Sequence, residues 1–243
     1  MPSTLYTDPR LVALYDTLNP AADTSFYLAL ASAGDTVVDL GCGTGLLACE
    51  LAAQGRRVIG IDPAPEMLRV ARKRPGGDRV QWVEGDARAL AVLPPADVLL
   101  MTGHVAQVFV DDDAFFSTLK AARYALRKGG KLAFESRNPA ARAWEAWTPE
   151  RSLRKITIEG IGDVEVWQDN VSASPDSGIR FDTFYRFLAS DEVLVSTSEL
   201  RFRSQDELAA QLEHAGFSEL AWYGDWDKTA LSPASRELIV VAR

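Results

Sequence analysis

The chain of 243 residues reads as an α/β protein. The expected architecture is a doubly wound, mostly parallel sheet of seven strands, with an antiparallel meander inserted late in the chain. Three observations predict this class. Short apolar runs alternate with helical segments through residues 34–138, which implies βαβ units. The runs are nearly continuously apolar, as strands covered on both faces are. From residue 153 to 203 the pattern becomes strand after strand, with period-two alternation.

Each element follows in order. "DTVVDL" is a buried strand, and "GLLACELAAQG" is a helix closed by Gly55. "RRVIGID" is a second strand, ending on Asp62. "PEMLRVARKR" is a helix that stops at Pro75, Gly76 and Gly77. "RVQWVEGD" and "ADVLLMTG" are the third and fourth strands. "DDDAFFSTLKAARYAL" is a helix capped by one of its leading aspartates, and "GGKLAFESRN" is the fifth strand. The meander breaks at "EGIGD", "SPDSG" and "ASDE". In "IRFDTFYRFL", Phe181, Thr183, Tyr185 and Phe187 share one face, and Arg180, Asp182 and Arg186 share the other. "SQDELAAQLEHAGF" carries a capping box on Ser204 and Glu207. "SELAWYGDW" and "RELIVVAR" complete the sheet.

Composition narrows the function. Net charge is -8 and the pI about 4.9, so the chain is a poor candidate for nucleic-acid binding. The basic run "RVARKRPGGDR" reads as a solvated helix end. The two cysteines, Cys42 and Cys49, form no disulfide framework or zinc spacing; Cys42 reads as a small residue in a tight turn. The N-terminal stretch lacks the apolar core of a signal peptide, and no apolar run reaches membrane-spanning length. The expectation is a cytoplasmic protein without membrane or nucleic-acid partners.

The glycine-rich stretch "VVDLGCGTG" lies between the first strand and first helix, at the sheet edge where α/β proteins bind ligands. A dinucleotide fingerprint would place its third glycine at position 46, which is Leu46; the glycine stands at Gly45. No Gly-Lys-Ser/Thr follows, so a phosphate loop also fails. Asp39, Asp62 and Asp86 lie at three successive strand ends. They suit a ligand with a ribose, an adenine and a positive charge better than a pyrophosphate.

With "VIGIDPAPEML", "VEGDA", "ADVLLMTGHVAQVF" and "LRKGGKLAFESRNP" in order, this stretch resembles the class I S-adenosylmethionine-dependent methyltransferases, which have a Rossmann-like sheet. The resemblance implies S-adenosyl-L-methionine as cofactor and S-adenosyl-L-homocysteine as product. It implies that Gly41, Gly43 and Gly45 lie against the methionyl part and Asp39 near its ammonium group. Asp62 would hold the ribose, Pro63 and Ala64 would flank the adenine, and Asp86 and Ala87 would read its edge. Met101 and Thr102 would lie next to the sulfonium. The chain then divides into an N-terminal helical cover (1–33), a cofactor-binding core (34–138), an inserted lid (150–203) and a closing helix with two strands (204–243), all one methyltransferase domain. Tyr6 and Tyr15 are candidates to close the cover.

Methyl transfer needs mainly alignment and exclusion of water, with a base only for an acceptor of high pKa. His104, after the fourth strand, is the candidate base; a pocket-lining or turn-capping role competes. His214 reads as a helix C-terminal residue. Arg137 and Asn138 are candidate acceptor contacts, and Trp144 and Trp147 a candidate aromatic wall. Asp111, Asp112 and Asp113 cluster at one helix start, which favours capping over metal binding, and no metal is expected. The leading function is a methyltransferase acting on oxygen, nitrogen or carbon of a small molecule. A non-catalytic S-adenosylmethionine sensor or partner subunit is the alternative, and a nucleotide-cofactor oxidoreductase is disfavoured by Leu46. The edge of the inserted sheet is a candidate homodimer contact.

Overall fold

A computed structural model describes residues 4–20, 23–32, 34–174 and 178–243. Three helices, α1 (Thr4–Thr7), α2 (Pro9–Leu18) and α3 (Thr24–Leu28), precede the sheet. Then β1 (Thr36–Leu40), α4 (Leu46–Ala53), β2 (Arg57–Asp62), α5 (Pro65–Lys73), β3 (Gln81–Glu84) and β4 (Ala96–Met101) alternate. A short helix, α6 (Val105–Val108), leads to α7 (Asp112–Ala125) and β5 (Leu126–Arg137). After α8 (Pro149–Ser152) come β6 (Arg154–Ile158), β7 (Gly162–Ser174), β8 (Gly178–Phe187) and β9 (Glu192–Leu200). The chain closes with α9 (Gln205–His214), β10 (Leu220–Tyr223) and β11 (Glu237–Ala242).

The large sheet has seven strands in the order β10-β11-β5-β4-β1-β2-β3. β1 to β5 run parallel; β11 pairs antiparallel with β5, and β10 with β11. The order reverses between β1 and β4, so the crevice at their carboxyl ends is the place for a ligand. Neighbouring strand residues point to opposite faces. Val38, Leu99 and Phe134 pack under α7 and α9 with Phe115, Leu119, Leu208 and Leu212. Val37, Leu100, Ala133 and Ile239 pack on the other face with Phe26 and Tyr27 of α3 and Leu47 and Leu51 of α4.

Local chemistry sets the helix starts that the sequence predicts. Asp111 caps α7 by accepting from the Ala114 N–H at 3.0 Å. Ser204 and Glu207 form the reciprocal capping box of α9. Pro65 begins α5, where its missing N–H costs nothing.

β6 to β9 form a separate four-stranded antiparallel meander. The centre of its predicted "SPDSG" turn, residues 175–177, lies outside the described residues. Phe181, Tyr185 and Phe187 are buried and Arg180 and Arg186 exposed, as the alternation requires. Val164, Val166, Tyr185 and Phe187 pack on Leu11, Leu14 and Leu18 of α2. Helix α2 thus lies between the inserted sheet and the glycine turn. Among the described residues, no helix is long and apolar enough to cross a membrane.

Candidate active site

The three glycines after β1 all have left-handed backbones, with φ of 80°, 54° and 76° at Gly41, Gly43 and Gly45. Packing adds a second demand at two of them. A Cβ on Gly41 would collide with the Val105 side chain of α6, and one on Gly45 would lie 2.5 Å from the Trp82 ring and 2.8 Å from Ala71. Gly45 therefore serves the contact between the turn, β3 and α5. The Gly43 N–H donates to Asp62 Oδ2 at 2.8 Å.

Gly41 and Gly43 line a cavity of about 320 Å³ whose other walls include Tyr15, Thr102, His104 and Trp226. Its carboxylates are Asp16, Asp23, Asp39, Glu135 and Glu237. Asp39 is 1% exposed, and its Oδ1 has no partner among the described residues. Burial, then the charges of Asp62, Asp23 and Glu135, pushes its carboxyl up to about 7. Burial also raises Asp23 and Glu135 above the usual carboxylate range. Asp16 accepts from Thr44 Oγ1 at 2.5 Å and pairs with Arg74, tying α2 to the glycine turn and the end of α5.

The structure sets several expected cofactor residues apart from this cavity. Asp62 is buried at the end of β2, with its two oxygens accepting from Gly43 N and, at 2.8 Å, Ala64 N. Val12, Ala64 and Met67 cluster beside it with Tyr6 and Tyr15, so α1 and α2 cover this end of the crevice. Pro63 is exposed on the loop after β2. Asp86 caps the turn that follows β3 and pairs with Arg88, which holds its carboxyl below the usual range. Ala87 packs against the core beside it. Met101 is fully buried in the layer under α7 rather than at the cavity wall; in β4 its side chain points to the face opposite Leu100.

A second cavity, about 510 Å³, adjoins the first and is walled by α1, α2, the end of β5 and the inserted sheet. Tyr15, Gly103, His104 and Arg137 line both. Trp147 lines the second with Phe181, its ring 4.4 Å from the phenyl centroid. Trp144 instead packs edge-on against Phe202. Asn138 is buried and braces its own loop: it accepts from Ala140 N at 3.0 Å and donates to Ser235 O at 2.9 Å. Expected to contact the acceptor, it is occupied by the backbone.

His104 stands at the junction with a left-handed backbone, φ 63°. Two glutamates hold it. Its backbone N–H donates to Glu135, which also accepts from Tyr27 Oη. Its Nε2 lies 3.0 Å from Glu237 Oε2. Glu237 stands opposite Arg137 in the β11–β5 register, and Glu135, two residues earlier, projects on the same face. Glu135, Glu237, Asp23 and Trp226 are absent from the residues singled out by sequence. Only Glu135 carried a signal, an acid inside an apolar strand; Glu237 reaches the site through antiparallel pairing. His214 lies in the last turn of α9, as expected. Asp112 pairs with Arg201 and Arg203, and among the described residues no cluster of His, Cys, Asp or Glu is arranged to hold a metal ion.

The strand order and the glycine turn beside a carboxylate-lined crevice define a nucleoside-cofactor enzyme of the α/β class. A profile described as a methyltransferase domain matches residues 37–130. The ubiquinone/menaquinone biosynthesis C-methyltransferase UbiE of Rubrivivax gelatinosus is 30% identical over 198 residues, 81% of this chain and 68% of that protein. The CcbJ methyltransferase of Streptomyces caelestis superposes with a TM-score of 0.76 at 21% identity, covering 98% of both chains. CalS10 of Micromonospora echinaspora, an amino pentose methyltransferase solved with S-adenosylmethionine bound, gives 0.67 at 22% identity, covering 95% of both. The chain belongs to the class I S-adenosylmethionine-dependent methyltransferases. The carboxylates around the first cavity, with Asp39 Oδ1 unpartnered, fit a donor carrying an ammonium and a sulfonium charge.

Proposed function

We propose that the protein methylates a small-molecule acceptor held in the larger cavity, with His104 at the junction receiving the acceptor's proton. The observation that carries this reading is the meeting of two cavities at Tyr15, Gly103, His104 and Arg137, one acidic and glycine-lined, one aromatic. S-adenosylmethionine supplies a methyl carbon bonded to a cationic sulfur, with the carbon–sulfur electron pair leaving on sulfur. Asp39, Gly41, Gly43, Thr102 and Tyr15 are assigned to its methionyl half. Asp62, Pro63, Asp86 and Ala87 are assigned to the adenosine half, on the side covered by Tyr6 and Tyr15. Glu237 keeps the His104 ring turned, and the imidazolium formed on proton uptake is stabilised by the same carboxylate. The inserted sheet, residues 150–203, acts as the acceptor-side lid that excludes water. UbiE acts in ubiquinone and menaquinone biosynthesis, and a small-molecule acceptor suits a cavity of this size as well. The outer strands β6 and β9 are where a second copy would pair; a monomer by sedimentation would remove that role.

The test is a metabolite-library screen for release of S-adenosylhomocysteine. An acceptor-dependent release, lowered roughly a hundredfold in His104→Gln, is expected. Undiminished turnover in that variant would remove His104 as base.

A further inference from the structure

We propose that the acceptor carries an anionic group, a carboxylate or a phosphate, held by Arg137 together with Arg151 and Arg154, while a planar body rests on Trp147 and Phe181. The proposal rests on the methyltransferase reading and adds the chemical class of its acceptor.

The charge is segregated between the two cavities. The glycine-lined cavity holds several carboxylates, whereas the larger one is lined by Arg151 and Arg154 and by no Asp or Glu, with Arg137 at the border of both. That is unusual within a chain whose net charge is -8. Some half-buried or buried arginines of this protein find carboxylates, as Arg74 does with Asp16 and Arg201 and Arg203 do with Asp112, and others, such as Arg56 and Arg123, donate to backbone carbonyls. The three cavity arginines make no such pair among the described residues. Arg137 is half-buried, and its one hydrogen bond among the described residues goes from Nη1 to the neutral Gln107 Oε1 at 2.9 Å. Its Nε and Nη2 are left for a ligand. Among the described residues, Arg154 donates only to the Leu18 carbonyl, at 3.1 Å. Arg151 sits exposed in α8 at the cavity rim, its guanidinium without a partner among the described residues.

A guanidinium fork matches a carboxylate or phosphate with two parallel hydrogen bonds, which a neutral amide cannot reproduce. The aromatic wall is built for a flat partner. The Arg137 guanidinium lies 5.8 Å from the Trp147 ring centroid, so one surface presents charge and π-face together. A donor with positive charge on one side of His104 and an acceptor with negative charge on the other would also attract each other across the junction.

The experiment uses matched pairs of aryl carboxylates, aryl phosphates and their neutral amides or esters. Binding to the full chain is measured by calorimetry with S-adenosylhomocysteine present. Anionic members should bind at least tenfold tighter than neutral partners, and that preference should fall roughly tenfold in Arg137→Gln and in Arg151→Gln. The carboxylate and phosphate arms decide between the two anions. Equal binding of neutral and anionic members, no anion binding at millimolar concentration, or undiminished binding in both variants would overturn the proposal. So would loss of S-adenosylhomocysteine affinity alone in Arg137→Gln, which would assign that guanidinium to the donor's carboxylate. Arg151→Gln changes an exposed side chain and guards against misfolding of the Arg137 variant. Failure of the wild type to bind S-adenosylhomocysteine would instead strike the methyltransferase reading.

Discussion

Asp39 sits 1% exposed with an oxygen unpartnered, and burial lifts its carboxyl to about 7 against an ordinary 3.8. Below that pH it is neutral; above it, it is an anion, which in the proposed binding mode faces the donor's cationic end. Affinity for S-adenosylmethionine should therefore rise between about pH 6 and 8, and Asp39→Asn should flatten that rise. A slope unchanged in the variant would exclude Asp39 as its source. Stability of the unliganded protein should run the other way. A carboxyl whose folded pKa is raised favours folding while protonated, and that contribution fades as pH climbs from about 4 through 7. Glu237→Gln removes the carboxylate beside His104 Nε2 but keeps the shape. Turnover should drop about tenfold or more with little change in donor affinity, and an altered donor affinity with normal turnover would contradict the positioning role. At this scale Asp39, the glycines and His104 were legible because they lie in local motifs. Glu135 and Glu237 were not, since the register of β5 against β11 brings them there.

Among the elements, α2 carries the most consequence. Its apolar face packs on the inserted sheet, while Tyr15 and Asp16 face the glycine turn, and Tyr6 and Val12 lie beside Asp62. If the adenosine half is seated on Asp62, α1 and α2 must shift to admit it. Amide exchange in residues 5–18 should change on S-adenosylhomocysteine binding more than that in α4, and equal, unchanged exchange would contradict it. The capping box of α9 is a simpler case. Ser204→Ala should cost about 1 kcal/mol in denaturant unfolding with the cofactor affinity intact. Element order and type were readable from periodicity and caps, down to Ser204; that an aspartate caps α7 was readable too, and the structure identifies it as Asp111. The sequence did not show that Gly45 answers to Trp82 and Ala71, because a turn pattern does not reveal what packs over it.

For the whole molecule, the central feature is a sheet whose switch point opens onto two cavities of opposite charge, closed by a helix and an inserted meander. The seven strands and the meander were legible from the alternation of periods. The second cavity was not, because its walls come from α1, α2, the end of β5 and all four strands of the insert. The most direct measurement is calorimetric titration of S-adenosylmethionine into the wild type and Asp62→Asn. The account predicts saturable one-site binding by the wild type, weakened at least tenfold in the variant. No binding by the wild type, or equal affinity in both, would contradict it.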